Sequence, residues 1–264
     1  ARTCRSVTWL DEMDSRSMPM SSQRPDTMER TDGKENLMII WNKQFTYPGS
    51  QRSIKGEYDI TNMLLPSVTT VLNATQPESK RKSLDRWIAQ KGEDEATRIK
   101  DLAAKRGTAM HFYLQKYIDP ECKGYMDLTT IGQVAEPMAK KIIEKGMEDL
   151  TEVWGSEVVV HYPGLYAGAT DLVGIYDYSE SIIDFKQSNK PKRREWIDDY
   201  FMQLGAYAMA HNYVYGTQID QGVILMCTPD CYFQKFVIRG KEFVKHQHNF
   251  LRRLDQYYEE ANTR

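Results

Sequence analysis

The chain has 264 residues, 35 Lys plus Arg against 37 Asp plus Glu, and a formal net charge of -2. That balance excludes a bulk polycation that holds nucleic acid by average charge, though not a local basic groove. Hydrophobic residues make up 41% and charged residues 27%, an ordinary globular composition, and the length suits one large domain or two small ones at roughly 100–200 residues each.

No apolar run approaches the roughly 20 residues that span a bilayer, so no membrane association is expected. The cysteines Cys4, Cys122, Cys227 and Cys231 are too few and too scattered for a disulfide framework, so an intracellular, reducing compartment is expected. Cys227 and Cys231 flank Thr-Pro-Asp and supply half of a metal site at most; they read as idle thiols. The N-terminus mixes Arg2, Arg5 and Arg16 with Asp11, Glu12 and Asp14, unlike an acid-poor transit peptide.

In chain order, residues 1–36 are rich in Ser, Met, Arg and Asp with weak periodicity, and read as a flexible or docking extension. The remainder, 37–264, is expected to be one domain: a helical part over 65–150, a sheet core over 151–238 and a C-terminal helix over 241–262. Leu37–Trp41 is a short strand. A polar, Gly-containing stretch follows. Ser67 or Thr69 then caps a short helix whose N-terminal end also suits a phosphate. From Glu78 to about Ile118 the apolar spacing is helical, with Leu84, Trp87 and Ile88, then Leu102, Met110, Leu114 and Ile118. Another helix is expected from about Gln133 to Leu150.

The period then changes to that of strands over Glu157–His161, Leu165–Tyr178 and Ser181–Gln187, broken at Pro163-Gly164 and near Asp177. A helix from about Glu195 to Tyr215, strands Gly222–Cys227 and Tyr232–Ile238, and a last helix from about Lys241 complete the chain. The order predicts a mixed α/β (α+β) fold with a central mixed sheet flanked by helices.

The stretch that carries chemistry is Gly168-x-x-Asp171 followed by Ile183-Asp184-Phe185-Lys186. A turn centred on Asp177 and Tyr178 sets Tyr176 against Ser179 and Asp171 against Asp184. Opposed residues of an antiparallel pair share a face, and Lys186 lies two positions on, on that same face. Two carboxylates side by side repel, and a divalent cation removes that cost. Mg²⁺ or Mn²⁺ there would engage a phosphate oxygen, and Lys186 would orient or deprotonate a water or offset transition-state charge. The bland alternative is an acid pair neutralised by Lys186. A second D-x-K, Asp32-Gly33-Lys34, reads as a solvated turn.

These motifs, followed by Gln203-x-x-x-Tyr207 and preceded by Gly107-Thr-Ala-Met-His111, resemble the signature of the PD-(D/E)XK nuclease superfamily, closest to its RecB-like branch. Leu65 to Leu72 resembles the N-terminal motif of mitochondrial genome maintenance exonucleases and related phage exonucleases. The resemblance runs from about Leu65 to Ile238. It implies a restriction-endonuclease-like core, with Asp171, Asp184 and the Phe185 carbonyl holding one or two Mg²⁺ or Mn²⁺ ions and Lys186 serving the water. It implies His111 as a further ligand, Glu157, which occupies a place where relatives often carry an acid, as another metal residue, and Gln203 and Tyr207 as braces or DNA contacts. Without the motif, His111 reads as a core histidine. Relatives with an iron–sulfur cluster use four cysteines; only Cys227 and Cys231 follow Tyr207, so no cluster is expected. Gln115 stands where relatives often have Glu.

DNA is the expected partner. Ser188, Lys190, Lys192, Arg193 and Arg194 follow the catalytic strand, with Trp196 and Tyr200 to stack unpaired bases. Lys105 and Arg106 flank the His111 motif, Ser67 and Thr69 the short helix, and Lys80 to Arg86 make a second basic face. The alternative for each run is a solvated surface. No phosphate-cradling nucleotide loop is present, so no nucleotide cofactor is expected and a partner helicase would have to move the chain along DNA. The expected function is a metal-dependent DNA exonuclease acting on single-stranded ends, with a phage role in replication or recombination. The alternatives are a nuclease that resects duplex ends or cuts flaps, and an inactive DNA-binding subunit.

Overall fold

The computed structural model describes residues 26–28, 39–119 and 121–263. Most of the expected N-terminal extension, with Cys4 and Asp32-Gly33-Lys34, lies outside the described residues.

The centre of the molecule is a strand that is dry on both faces. Ile182, Ile183, Asp184 and Phe185 are each at most 2% exposed, the pattern of a strand covered by helices on either side. This strand, β7 (Ser179–Gln187), belongs to a sheet whose strands are β1 (Asp26–Met28), β2 (Ile39–Trp41), β5 (Leu150–Tyr162), β6 (Tyr166–Tyr176), β7, β8 (Gln221–Cys227) and β9 (Phe233–Arg239), in the order β1-β2-β5-β6-β7-β8-β9. A hairpin, β3 (Glu57–Ile60) and β4 (Met63–Pro66), stands apart from it. Strands β5, β6 and β7 form an antiparallel meander, whereas β7 and β8 run parallel. A parallel pair needs a long crossover. Helix α5 (Asp198–Tyr215) supplies it.

Helix α5 is apolar almost all round, with residues 201–208 buried without interruption, because it lies between the sheet and helix α6 (Gly240–Asn262). Helix α6 is amphipathic and buries Phe243, His246, Phe250 and Leu254 on one side. On the opposite face of the sheet, α3 (Glu93–Ile118) and α4 (Thr130–Gly146) set Met110, Leu114, Met138 and Ile142 against Leu172, Ile183, Phe185 and Leu225. The result is helices, mixed sheet, helices, as the sequence predicts. The remaining helices are α1 (Val68–Ala74) and α2 (Glu78–Lys91).

Several boundaries differ from expectation. The helical stretch after Glu78 is two helices, because Gly92 sits at φ +83° between α2 and α3. Leu150 does not end α4; it opens β5, whose early pairing is obscured by register shifts between Leu150 and Glu152 and between Val153 and Gly155. The helix expected from Glu195 is a single 3-10 turn, Arg194–Trp196, followed by α5. The β3–β4 hairpin falls in the stretch read as polar loop, and its turn residues Thr61 and Asn62 both have positive φ, as two-residue hairpin turns require.

Candidate active site

The β6–β7 register runs from Tyr176 opposite Ser179 to Leu172 opposite Ile183. One step further lie Asp171 and Asp184. The backbone ladder stops there, and the side chain continues it: the Phe185 N–H donates to Asp171 Oδ2 at 2.7 Å. On the other side of β6, Ser156 opposite Leu172 and Val158 opposite Thr170 bracket Glu157, which stands across from Asp171. Glu157 has φ +52°, a left-handed conformation that strains any residue with a Cβ.

Helix α3 brings the fourth group. Gly107 faces the end of β7, where a Cβ would meet Gln187 Cγ at an ordinary 3.4 Å contact. One turn on, His111 Nε2 donates to the Phe185 carbonyl at 2.8 Å. Its Nδ1 then faces Asp171 Oδ1 at 3.5 Å and Glu157 Oε1 at 3.7 Å. A depression lined by Gly107, Thr108, His111, Phe112, Gln115 and Glu157 opens above this cluster.

Ligand atoms of His111, Glu157 and Asp171 all lie within 4.8 Å of one another. Octahedral Mg²⁺, with bonds of about 2.0–2.1 Å, sets its donors about 3–4 Å apart, so this donor set fits a small hard cation with modest closure. One nitrogen and two carboxylates suit Mn²⁺ as well. Glu157 belongs to this cluster as closely as His111 and Asp171 do. Asp184 lies deeper, 2% exposed, with Lys186 Nζ ion-paired to its Oδ2.

Burial pushes the Asp184 carboxyl up to about 6 even with Lys186 beside it, and Asp171 adds to the rise. Burial raises Asp171 too, against the opposing pull of His111 and Lys186. Burial alone would lower His111, but Asp171 and Glu157 outweigh it and lift the imidazole to about 9. Burial would likewise lower Lys186, yet Asp184 and Asp171 hold it above its ordinary value, so it is an ammonium at neutral pH.

Gln203 and Tyr207 form the floor. Gln203 Nε2 donates to Tyr207 Oη at 3.0 Å, and they are 9% and 2% exposed, which leaves no surface for DNA. Gly168 has no side chain for a reason visible here: a Cβ would stand 2.5 Å from Tyr207 Cε1. The Gly168-to-Asp171 spacing thus couples a socket for Tyr207 to the acid above it.

Four expected DNA contacts have other work. Ser67 is 2% exposed, caps α1 by accepting from the Thr70 N–H at 3.0 Å, and receives Arg52 Nε at 3.1 Å. Arg106 is 8% exposed and holds Gln187 Oε1 at 3.0 Å and Asn189 Oδ1, fastening the loop after β7. Ser188 is buried and donates to the Lys190 carbonyl at 2.7 Å. Arg194 pairs with Glu242 at 2.7 Å, donates to the Val237 carbonyl and covers the Phe201 ring. Ser67, Arg106 and Ser188 are satisfied inside the fold, which corrects the surface reading for them, whereas Arg194 stays partly exposed and is committed to Glu242 and Val237. Gln187, Asn189 and Glu242, which hold these cations, carry no motif that would have singled them out.

Thr69 is half-buried and bonded to Ser67. Lys105, Lys190 and Arg193 are exposed, and Lys192 is half-buried. Trp196 is 55% exposed with the Arg193 guanidinium 5.2 Å from its ring centre. Tyr200 is half-buried and its ring faces Lys186 Nζ at 5.2 Å, so it supports the site rather than sharing a helix face with Trp196. Lys80, on the second basic face, is paired with Asp199 at 2.7 Å. Cys122, Cys227 and Cys231 are free, and burial pushes the Cys227 thiol up to about 12, which leaves it unreactive. Among the described residues no helix is long and apolar enough to cross a membrane.

A mixed sheet is covered by helices on both faces, with an acid pair and a lysine on its central meander, and the chain resembles proteins named as exonucleases in sequence. It is 27% identical over 198 residues to mitochondrial genome maintenance exonuclease 1 of Xenopus tropicalis, covering 67% of this chain and 52% of the relative. To the protein of the same name from Mus musculus it is 28% identical over 212 residues, covering 70% and 60%. The chain therefore spans between half and two thirds of the length of these curated relatives. Among solved structures, an alkaline exonuclease from Laribacter hongkongensis aligns over 75% of this chain and 91% of its own, with 16% identity and a TM-score of 0.35. No family model matches the chain.

Proposed function

We propose that this chain is a metal-dependent DNA exonuclease that hydrolyses phosphodiester bonds from single-stranded ends. The observation that carries the reading is the His111–Glu157–Asp171 cluster set beside the buried Asp184–Lys186 pair. The likeness to relatives named as exonucleases supports it. The preference for single strands rests on exposed Trp196 and its stacked Arg193, a platform for an unpaired base.

His111, Glu157 and Asp171 would hold Mg²⁺ or Mn²⁺, with the Phe185 carbonyl alongside. Such an ion supplies Lewis acidity toward a phosphate oxygen and makes water more acidic. His111 keeps Nδ1 aimed at the carboxylates because its Nε2 is tied to Phe185. Lys186, held as an ammonium by Asp184 and turned by Tyr200, offsets the charge that grows on the transferring phosphate. Tyr207, which accepts from Gln203, packs beneath Gly168 and so braces the strand that bears Asp171.

The test uses end-labelled linear single-stranded, linear duplex and circular single-stranded DNA with Mg²⁺ or Mn²⁺. Linear single strands should shorten from an end and circles should survive. Cut circles would remove the exonuclease assignment. Binding without cleavage would identify an inactive subunit. Full activity in Asp184→Ala or Lys186→Ala would defeat the site assignment.

A further inference from the structure

Helix α6 carries a row of basic side chains on its exposed face. Lys241, Lys245, His248 and Arg252 recur at steps of four, three and four, all exposed, with Val244 and Asn249 completing a shallow depression between them. The opposite face of the same helix is the one buried through Phe243, His246, Phe250 and Leu254. Among the described residues Lys241, Lys245 and Arg252 make no ion pair; Arg252 reaches only Asn249 Oδ1. The one acid within this stretch, Glu242, is taken by Arg194.

The arrangement works against the helix itself. Like charges at i,i+4 repel, and Lys241 and Lys245 lie at the N-terminal end, where the helix dipole already concentrates positive charge. A solvated face needs no such row, and a chain with a net charge of -2 has acids enough to intersperse. The Arg194–Glu242 pair fastens the loop after β7 to the first turn of α6, which sets exposed Arg193 and Trp196 beside it. From Lys241 to Arg252 the row is about 16 Å long at 1.5 Å per residue, enough to follow several phosphates of one strand.

We infer that this face of α6 is a second nucleic-acid surface, which holds the sugar–phosphate backbone of the DNA strand beyond the part that enters the catalytic depression. This rests on the nuclease reading for the identity of its ligand. It makes affinity depend on substrate length, because only a strand long enough to leave the site reaches α6.

The experiment compares the full chain with a K241Q/K245Q/R252Q variant, in EDTA, by anisotropy of labelled long and short oligothymidylates over a range of salt. On the long strand the variant should bind at least tenfold more weakly, with a log–log salt slope lower by about 2, three contacts at about 0.7 each. The short strand should bind both proteins alike. Parallel salt lines on the long strand would overturn the inference, and so would loss of binding confined to phosphatidylglycerol vesicles. The two readings fail separately. If the parent chain cleaves DNA but the lines are parallel, only the α6 surface falls. If the slope drops while the parent cleaves nothing, the surface stands and the nuclease reading falls.

Discussion

Asp171 accepts the Phe185 N–H at 2.7 Å, so the acid that faces the cluster also closes the β6–β7 ladder. Asp171→Asn keeps that acceptor while it removes the charge. Cleavage should fall by at least about 100-fold, the scale of losing one electrostatic group at a transition state. The metal-free protein should stay folded, while the upward shift that Mn²⁺ gives the parent chain should shrink. Thermal melts with and without Mn²⁺ read this without any activity assay. An undiminished shift would remove Asp171 from the ligand set.

Glu157 is held at φ +52° in the middle of a strand. Glycine adopts that conformation freely, and relief of such strain is worth up to about 1 kcal/mol. Above pH 9, where the His111 ring is neutral and draws nothing from the carboxylate, Glu157→Gly should therefore unfold at the same or higher urea concentration than the parent, while its cleavage at neutral pH drops. A clear fall in stability would mean that the carboxylate stabilises the fold rather than serving the site.

His111 gives a pH signature. Its folded value of about 9 lies above the ordinary 6.5, so the protonated ring stabilises the metal-free fold fully below pH 6.5, and that contribution disappears as pH rises through about 9. Melting temperature in EDTA should decline across this window in the parent and decline less in His111→Gln. Affinity for Mn²⁺ should rise over the same window, because a ligating nitrogen must lose its proton. Superimposable pH profiles for the two proteins would refute the His111–carboxylate coupling.

Gly168→Ala puts a methyl 2.5 Å from the Tyr207 ring. Overpacking of this kind costs about 1–3 kcal/mol. The loss should nearly vanish when alanine 168 is introduced into a Tyr207→Ala background, and a double-mutant cycle in urea would measure that coupling. Additive effects would show that Tyr207 is not what requires glycine there.

Trp196 is exposed, so its removal leaves the core intact. Trp196→Ala should weaken single-strand binding by about 1–3 kcal/mol, the value of one stacked base, without moving the thermal midpoint. Equal losses on single-stranded and blunt duplex DNA would argue against an unpaired base at this position.

Local pattern revealed the meander. Asp177 and Tyr178 both have positive φ at the turn, and the pairing they set runs as far as Leu172 opposite Ile183. What the pattern could not carry was anything settled by distant partners. Arg106 looks like a surface cation until Gln187, 81 positions away, is folded against it. Arg194 belongs to a basic run in the sequence but to Glu242, 48 positions on, in the fold. Glu157 offers no sign of its left-handed backbone, because that strain is imposed by both flanking pairings with β6. The β3–β4 hairpin escaped notice because Met63 and Leu64 are exposed and break the alternation expected of a half-buried strand.

The parallel pairing of β7 with β8 has a consequence for how the chain is made. The strand that bears Asp184 and Lys186 is synthesised well before its second neighbour, which arrives only after α5 has crossed the sheet. A nascent or truncated chain that stops ahead of Gln221 leaves β7 as an open edge, with its buried acid wet and its backbone unpaired. The β7 strand that bears the acid–lysine pair thus gains its second neighbour only once translation has passed Cys227.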